Sequence, residues 1–233
     1  MSPRAVDSAA GDSAPEGRRI VFWRHGRTEW NARGLFQGQE DIALDDLGRQ
    51  QAAQAAHELK HLSPSLIVSS DLERARDTAA ALSVATGVPV GTDPRFRETY
   101  AGQWQGLAFA EIGARFPEEQ QAWHEGDPFV AAGGGESRSD VGGRMKAGTL
   151  EAVAQLAPGQ TLVVVSHGGA IRAGVAALMG IPANLWGSLA GVANCHWSVL
   201  EELNPSSSAV PLRWQLTEHN VGLASMPSSP LEG

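Results

Sequence analysis

Two histidines of this 233-residue chain stand in the same local frame. Ile20-Val21-Phe22-Trp23 runs into Arg24-His25-Gly26, and Thr161-Leu162-Val163-Val164-Val165 runs into Ser166-His167-Gly168-Gly169. In each, an apolar run rich in strand formers stops at an imidazole followed by glycine. The carboxyl end of a strand is where ligands bind in an open α/β sheet, and glycine lets the backbone approach one closely. Two further runs end in polar groups. Leu66-Ile67-Val68 precedes Ser69-Ser70-Asp71-Leu72-Glu73-Arg74, and Val88 to Thr92 precedes Arg97-Glu98. Any one of these junctions reads equally well as a strand end with a capping histidine or a surface arginine, because three residues match by chance easily.

Taken together they suit phosphoryl transfer without a metal or cofactor. If the four strands are parallel, Arg24, His25, Arg74, Glu98 and His167 meet on one edge of the sheet. Guanidinium groups match the two negative charges of a phosphate monoester with paired N–H donors. A neutral imidazole is a competent nucleophile towards phosphorus. A second histidine, if protonated, stabilises charge on the equatorial oxygens, and a carboxyl group can protonate the leaving alkoxide and then activate water. Magnesium-dependent sites need clustered carboxylates instead, and the sequence arranges none.

The elements that must position these groups alternate. Strands are expected at Arg19–Trp23, Leu66–Val68, Val88–Thr92, Thr161–Val165, Cys195–Glu201 and Leu212–Glu218. Helices are expected at Leu47–Leu62, from a cap at Ser69-Ser70-Asp71 to Thr86, at Phe109–Glu125, Ser139–Leu156 and Ala170–Met179. Arg74 then falls in the first turn of its helix, where free N–H groups favour an anion. Strand–helix alternation implies an α/β three-layer sandwich, a mostly parallel mixed sheet covered by helices on both faces.

Composition bounds the rest. At this length one well-buried domain is expected, from Arg18 to Gly222. Met1 to Gly17 reads as a disordered leader and Leu223 to Gly233 as a flexible tail. A net charge of −8 with no basic run argues against nucleic-acid partners and anionic membranes, and no apolar run is long enough to cross a bilayer. The single cysteine, Cys195, cannot close an intrachain disulfide, so the cytoplasm is the default compartment.

At this point the chain resembles the histidine phosphatase superfamily, the phosphoglycerate-mutase-like proteins. The motifs run in family order: Arg24-His25-Gly26; Arg74 within Ser-Asp-Leu-Glu-Arg-Ala-Arg-Asp-Thr-Ala; Glu98 before Gly102-x-Trp104-x-Gly106; and Ser166-His167-Gly168-Gly169. The resemblance implies that His25 is the phosphorylated nucleophile, that Arg24, Arg74 and His167 form the phosphate pocket, and that Glu98 is the proton donor. It also implies that Asn31, Gln37, Gly38 and Gly168 line the pocket, though as loop and turn residues they have an ordinary structural reading too. Mutases of this type carry a glutamate where this chain has Arg27, and a basic insert where it has Glu118, Glu119, Glu125, Asp127 and Glu136 against Arg138. Both departures favour a phosphatase over a cofactor-dependent phosphoglycerate mutase. The intact set of five groups speaks against an inactive binding or regulatory member. Trp123 to Val141 and Gly191 to Trp197 are similar to the actinobacterial glucosyl-3-phosphoglycerate phosphatases, which implies a small phosphorylated substrate of that kind. Arg27, at the pocket mouth, either meets a carboxylate of the substrate or faces solvent.

His57-Glu58-Leu59-Lys60-His61 matches the zinc-protease pattern HExxH. The helix buries the face of Ala52, Ala55, Ala56 and Leu59, which turns both histidines to water, and a zinc site needs a third ligand in an enclosed position. His124, His196 and His219 read as surface or packing residues. Trp104, Trp123, Trp186, Trp197 and Trp214 read as core or interface, and the stretch from Trp186 to Trp197 would suit a homodimer surface.

Overall fold

The computed structural model describes residues 17–203 and 213–222. Apart from Gly17, the expected leader and the tail lie outside the described residues. In chain order the main elements are β1 (Arg19–Arg24), α1 (Glu29–Arg33), α2 (Asp46–Leu59), β2 (Pro64–Ser69), α3 (Glu73–Thr86), β3 (Val90–Thr92), α4 (Phe109–Arg115), α5 (Pro117–His124), α6 (Arg138–Val153), β4 (Thr161–Ser166), α7 (Gly168–Met179), β5 (Trp197–Glu202) and β6 (Trp214–Val221).

The strands form one six-stranded sheet in the order β3-β2-β4-β1-β5-β6. Strands β1 to β4 run parallel, β5 runs antiparallel to β1, and β6 runs antiparallel to β5 and so in the direction of the first four. Alternation along the two central strands assigns the layers, since successive side chains leave opposite faces. Ile20, Phe22, Leu162 and Val164 pack with Val141 and Met145 of α6 and Ile171 and Val175 of α7. Val21, Trp23, Val163 and Val165 pack with Ala52, Ala55 and Leu59 of α2 and Ala75, Ala79 and Leu82 of α3. The expected three-layer sandwich is what forms. A satellite cluster of Trp104, Ile112, Trp123 and Ala132, with Phe36 against it, supports the loop that carries Gln37 and Gly38.

Several boundaries differ from expectation for local reasons. The helix expected over Phe109–Glu125 is two helices, because Pro117 excludes helical backbone from Phe116, which sits at φ −135° and ψ 57°. Helix α6 starts one residue early, where Ser137 and Asp140 form a reciprocal capping box. Helix α3 starts later than the serine pair suggested: Ser70 Oγ takes the Leu72 N–H, while Asp41, distant in sequence, accepts the Glu73 N–H. Asp71 pairs instead with Arg97 at 2.6 Å. Trp186 and Trp197 are buried within the single chain, whereas Leu185 in the same stretch is exposed.

Candidate active site

Adjacent strands β1 and β4 end level with each other, Arg24 opposite Ser166, and so deliver His25 and His167 side by side. Both rings are buried, with centroids 5.0 Å apart. The His25 N–H donates to Ser166 O at 3.0 Å, and its carbonyl accepts from Cys195 N and from Asn194 Nδ2. Its ring Nδ1 lies 2.7 Å from Gly26 O. A carbonyl oxygen can only accept, so Nδ1 carries the proton and Nε2 of the neutral ring keeps its lone pair. Burial, followed by the charges of Arg74 and Arg24, holds the His25 pKa well below the ordinary imidazole value. The shift favours the neutral ring.

His167 is wired the opposite way. Arg74 Nε, which can only donate, lies 3.2 Å from His167 Nδ1, so that nitrogen accepts and the proton sits on Nε2, 2.9 Å from Ser70 Oγ. Burial and the neighbouring Arg74 again lower its pKa strongly. The protonated ring considered from the sequence is therefore not the form found; His167 is a neutral N–H donor.

Arg74 reaches the group from the first turn of α3 and also donates to Glu40 O at 2.7 Å and Gly38 O at 2.8 Å, which ties the Gln37-Gly38 loop to the site. Arg24 donates to Val192 O at 2.7 Å and packs under Gly168, where a Cβ would stand 3.3 Å from its guanidinium. Glu98 occupies the N-terminus of α7: its carboxylate accepts from Gly169 N at 3.0 Å, Ala170 N at 2.9 Å and Thr99 N at 2.9 Å. Backbone N–H groups and the helix dipole favour an anion there. A Cβ on Gly169 would stand 2.9 Å from Glu98 Oε1, so the carboxylate needs a glycine at that position.

Asn31 and Gln37 are buried beside this group. Asn31 Oδ1 accepts from Thr28 and from Asn194 Nδ2, and Gln37 Oε1 accepts from Thr28 Oγ1. Arg27 neither joins them nor lies free in solvent: its Nε donates to Asp45 Oδ2 at 2.7 Å, at the N-cap of α2. The structure gives this residue a role in holding α2 to the β1 loop.

Two contributors escaped sequence reading. Arg144 of α6 donates to the carbonyls of Arg95, Arg97 and Glu98 and to the carboxylate of Glu136, clamping the segment that carries Glu98. Its place beside the buried Val141, Met145 and Gly148 positions of the same helix was the available signal. Asn194 joins the His25 carbonyl to Asn31, and nothing in its local sequence marks that role.

His57 on α2 and His61 in the 3-10 turn that follows it are exposed, and Lys60 Nζ donates to His57 Nδ1 at 3.0 Å. Among the described residues no three His, Cys, Asp or Glu side chains are grouped to hold a metal ion. No helix among them is long and apolar enough to cross a membrane. The arrangement offers a nucleophilic Nε2 on His25, guanidinium and His167 N–H donors beside it, and a carboxylate fixed on a helix N-terminus.

The chain as a whole is similar to known proteins. Residues 20–212 match the sequence profile of the histidine phosphatase superfamily (branch 1). The chain is 44% identical to glucosyl-3-phosphoglycerate phosphatase of Mycolicibacterium vanbaalenii, over 88% of this chain and 95% of that protein. It is 35% identical to phosphoserine phosphatase 1 of Hydrogenobacter thermophilus, over 78% and 85%. A solved structure of mycobacterial glucosyl-3-phosphoglycerate phosphatase with VO3 superposes with a TM-score of 0.81 at 43% identity, covering 88% of this chain and all of that one.

Proposed function

The chain belongs to the histidine phosphatase superfamily, and from that premise we propose a metal-independent phosphomonoesterase that works through a phosphohistidine on His25. Its substrate is a small phosphorylated metabolite of the glucosyl-3-phosphoglycerate type. The single observation that carries the mechanism is the Nδ1–H donated to Gly26 O, which leaves Nε2 of a neutral, buried His25 as the attacking atom. Arg24, Arg74, Asn31 and the Nε2–H of His167 hold the phosphoryl oxygens, and the N–H groups they present favour the charge that develops in the transition state. Glu98 serves the leaving oxygen and then the hydrolytic water. Gln37, Gly38 and Gly168 shape the wall of the pocket, and Arg27 supports it through Asp45.

The similarity to phosphatases acting on glucosyl-3-phosphoglycerate supports the substrate type. Steady-state release of phosphate from glucosyl-3-phosphoglycerate, phosphoserine, 3-phosphoglycerate and p-nitrophenyl phosphate, in the presence of a chelator, tests the reading. Hydrolysis with glucosyl-3-phosphoglycerate preferred supports it; no hydrolysis of any of the four refutes it. Efficient interconversion of phosphoglycerates primed by the bisphosphate would show a mutase instead.

A further inference from the structure

Beyond the phosphate-binding residues, the wall of the site carries two more arginines. Arg172 lies one helical turn after Gly168 on α7, and Arg138 opens α6. Together with Trp123 and Trp186 they line a slot whose other wall is Thr99, Gly168 and Gly169, next to Glu98. Gly168 is the residue against which Arg24 packs. From Arg138 and Arg172 the slot widens into a cleft of about 420 Å³ that reaches Asn184, Leu185 and Ser188.

Both arginines lie away from the phosphate-binding group of Arg24 and Arg74. Arg138 is 7% exposed, stacks on Trp123 with its guanidinium carbon 3.7 Å from the ring centroid, and donates one N–H to Trp123 O. Among the described residues, no carboxylate lies within ion-pair distance of it. Arg172 is half-buried and makes neither a hydrogen bond nor an ion pair among those residues, the charge of Glu98 acting on it only through space. Burial and the neighbouring Arg172 push the Arg138 pKa down to about 10, and burial lowers that of Arg172. A buried and a half-buried guanidinium facing one space repel each other unless an anion joins them.

We infer that Arg172 and Arg138 form a second anion subsite, which binds a carboxylate carried by the substrate a few bonds from its phosphate ester. This deepens the phosphatase reading and rests on it. Four residues of helix rise span about 6 Å, so a carboxylate at Arg172 and a phosphoryl group at the Gly168 end belong to one small molecule. Guanidinium forks match carboxylates with paired donors. The cleft beyond then receives whatever the carboxylate-bearing part carries. Arg27, bound to Asp45, is not needed for this recognition.

The test compares two substrates that differ by one group: 3-phosphoglycerate, with a carboxylate, and glycerol 3-phosphate, with a hydroxymethyl group in its place. The wild-type ratio of their kcat/KM values is expected to favour 3-phosphoglycerate by roughly 30-fold or more, the worth of a charge-assisted pair. In Arg172→Gln the ratio falls towards one, and Arg172→Lys restores part of it. Ser188→Glu, at an exposed position of the same cleft, presents a competing carboxylate and lowers the ratio without disturbing the core, so the subsite stays testable if Arg172→Gln fails to fold. A wild-type ratio near one, or a ratio unchanged in Arg172→Gln or in Ser188→Glu when Arg172→Gln is unfolded, overturns the subsite while leaving the phosphatase standing. Hydrolysis of neither substrate nor p-nitrophenyl phosphate overturns both.

Discussion

The ends of β1 and β4 are neighbours in register and carry the same local sequence, a histidine followed by glycine, yet their rings are hydrogen-bonded in opposite ways. At the end of β1 the ring donates through Nδ1 to a carbonyl and exposes a basic Nε2. At the end of β4 the ring accepts at Nδ1 from Arg74 and presents an N–H at Nε2. Both rings are buried and both have pKa values pushed down by burial and the same arginines, so the field they share cannot distinguish them. Their hydrogen-bond partners do. The carbonyl that follows His25 leaves the lone pair on its Nε2, and the guanidinium beside His167 leaves that ring with an N–H at Nε2.

Removing each ring should therefore break different things. His25→Ala is expected to lower turnover by about 10⁴-fold or more, the scale on which a lost nucleophile is felt, with no acid-labile phosphoenzyme; phosphate release at a tenth of the wild-type rate would reject the assignment. His167→Ala removes a donor rather than the nucleophile, and should lower kcat by about 10²–10³-fold while leaving the phosphoenzyme detectable. If both substitutions cost the same and both abolish the phosphoenzyme, the division of roles is wrong.

A smaller effect separates the rings from the frame that serves them. Arg144→Met frees the carbonyls of Arg95, Arg97 and Glu98 without touching either histidine. Loss of roughly tenfold in kcat and about 2 kcal/mol of stability is expected, from several charge-assisted bonds. Unchanged kcat with the same stability loss would confine Arg144 to folding.

The smallest effect is common to both rings. Their folded pKa values lie below the unfolded value near 6.5. Between the two values the unfolded chain binds more protons, so stability rises with pH there. The contribution is complete above about pH 6.5 and is lost as pH falls through the folded values. Urea midpoints measured from pH 7.5 down to pH 5 should decline, and less steeply in the His25→Gln, His167→Asn double variant. Equal slopes in wild type and variant would contradict the buried neutral state.

Much of this was legible in the chain. The strand–helix alternation, the parallel arrangement of the first four strands and the meeting of Arg24, His25, Arg74, Glu98 and His167 follow from apolar runs that stop at polar junctions. What stayed hidden depends on contacts distant in sequence. The cap of α3 comes from Asp41, the clamp on the Glu98 segment from Arg144, and the link between His25 and Asn31 from Asn194. No periodicity encodes such pairings. The break at Pro117 was readable locally from the rule for residues that precede proline, which outweighs helical spacing there. The tautomers of the two histidines were beyond any reading of residue types, because identical His-Gly pairs acquire opposite wiring only after the arginines converge.

The most direct test of the account is to quench the enzyme during turnover of a ³²P-labelled substrate and to locate the label by residue and by ring nitrogen. The account predicts phosphate on Nε2 of His25. Label on His167, on Nδ1 of His25, or no covalent label during a demonstrable turnover would contradict it.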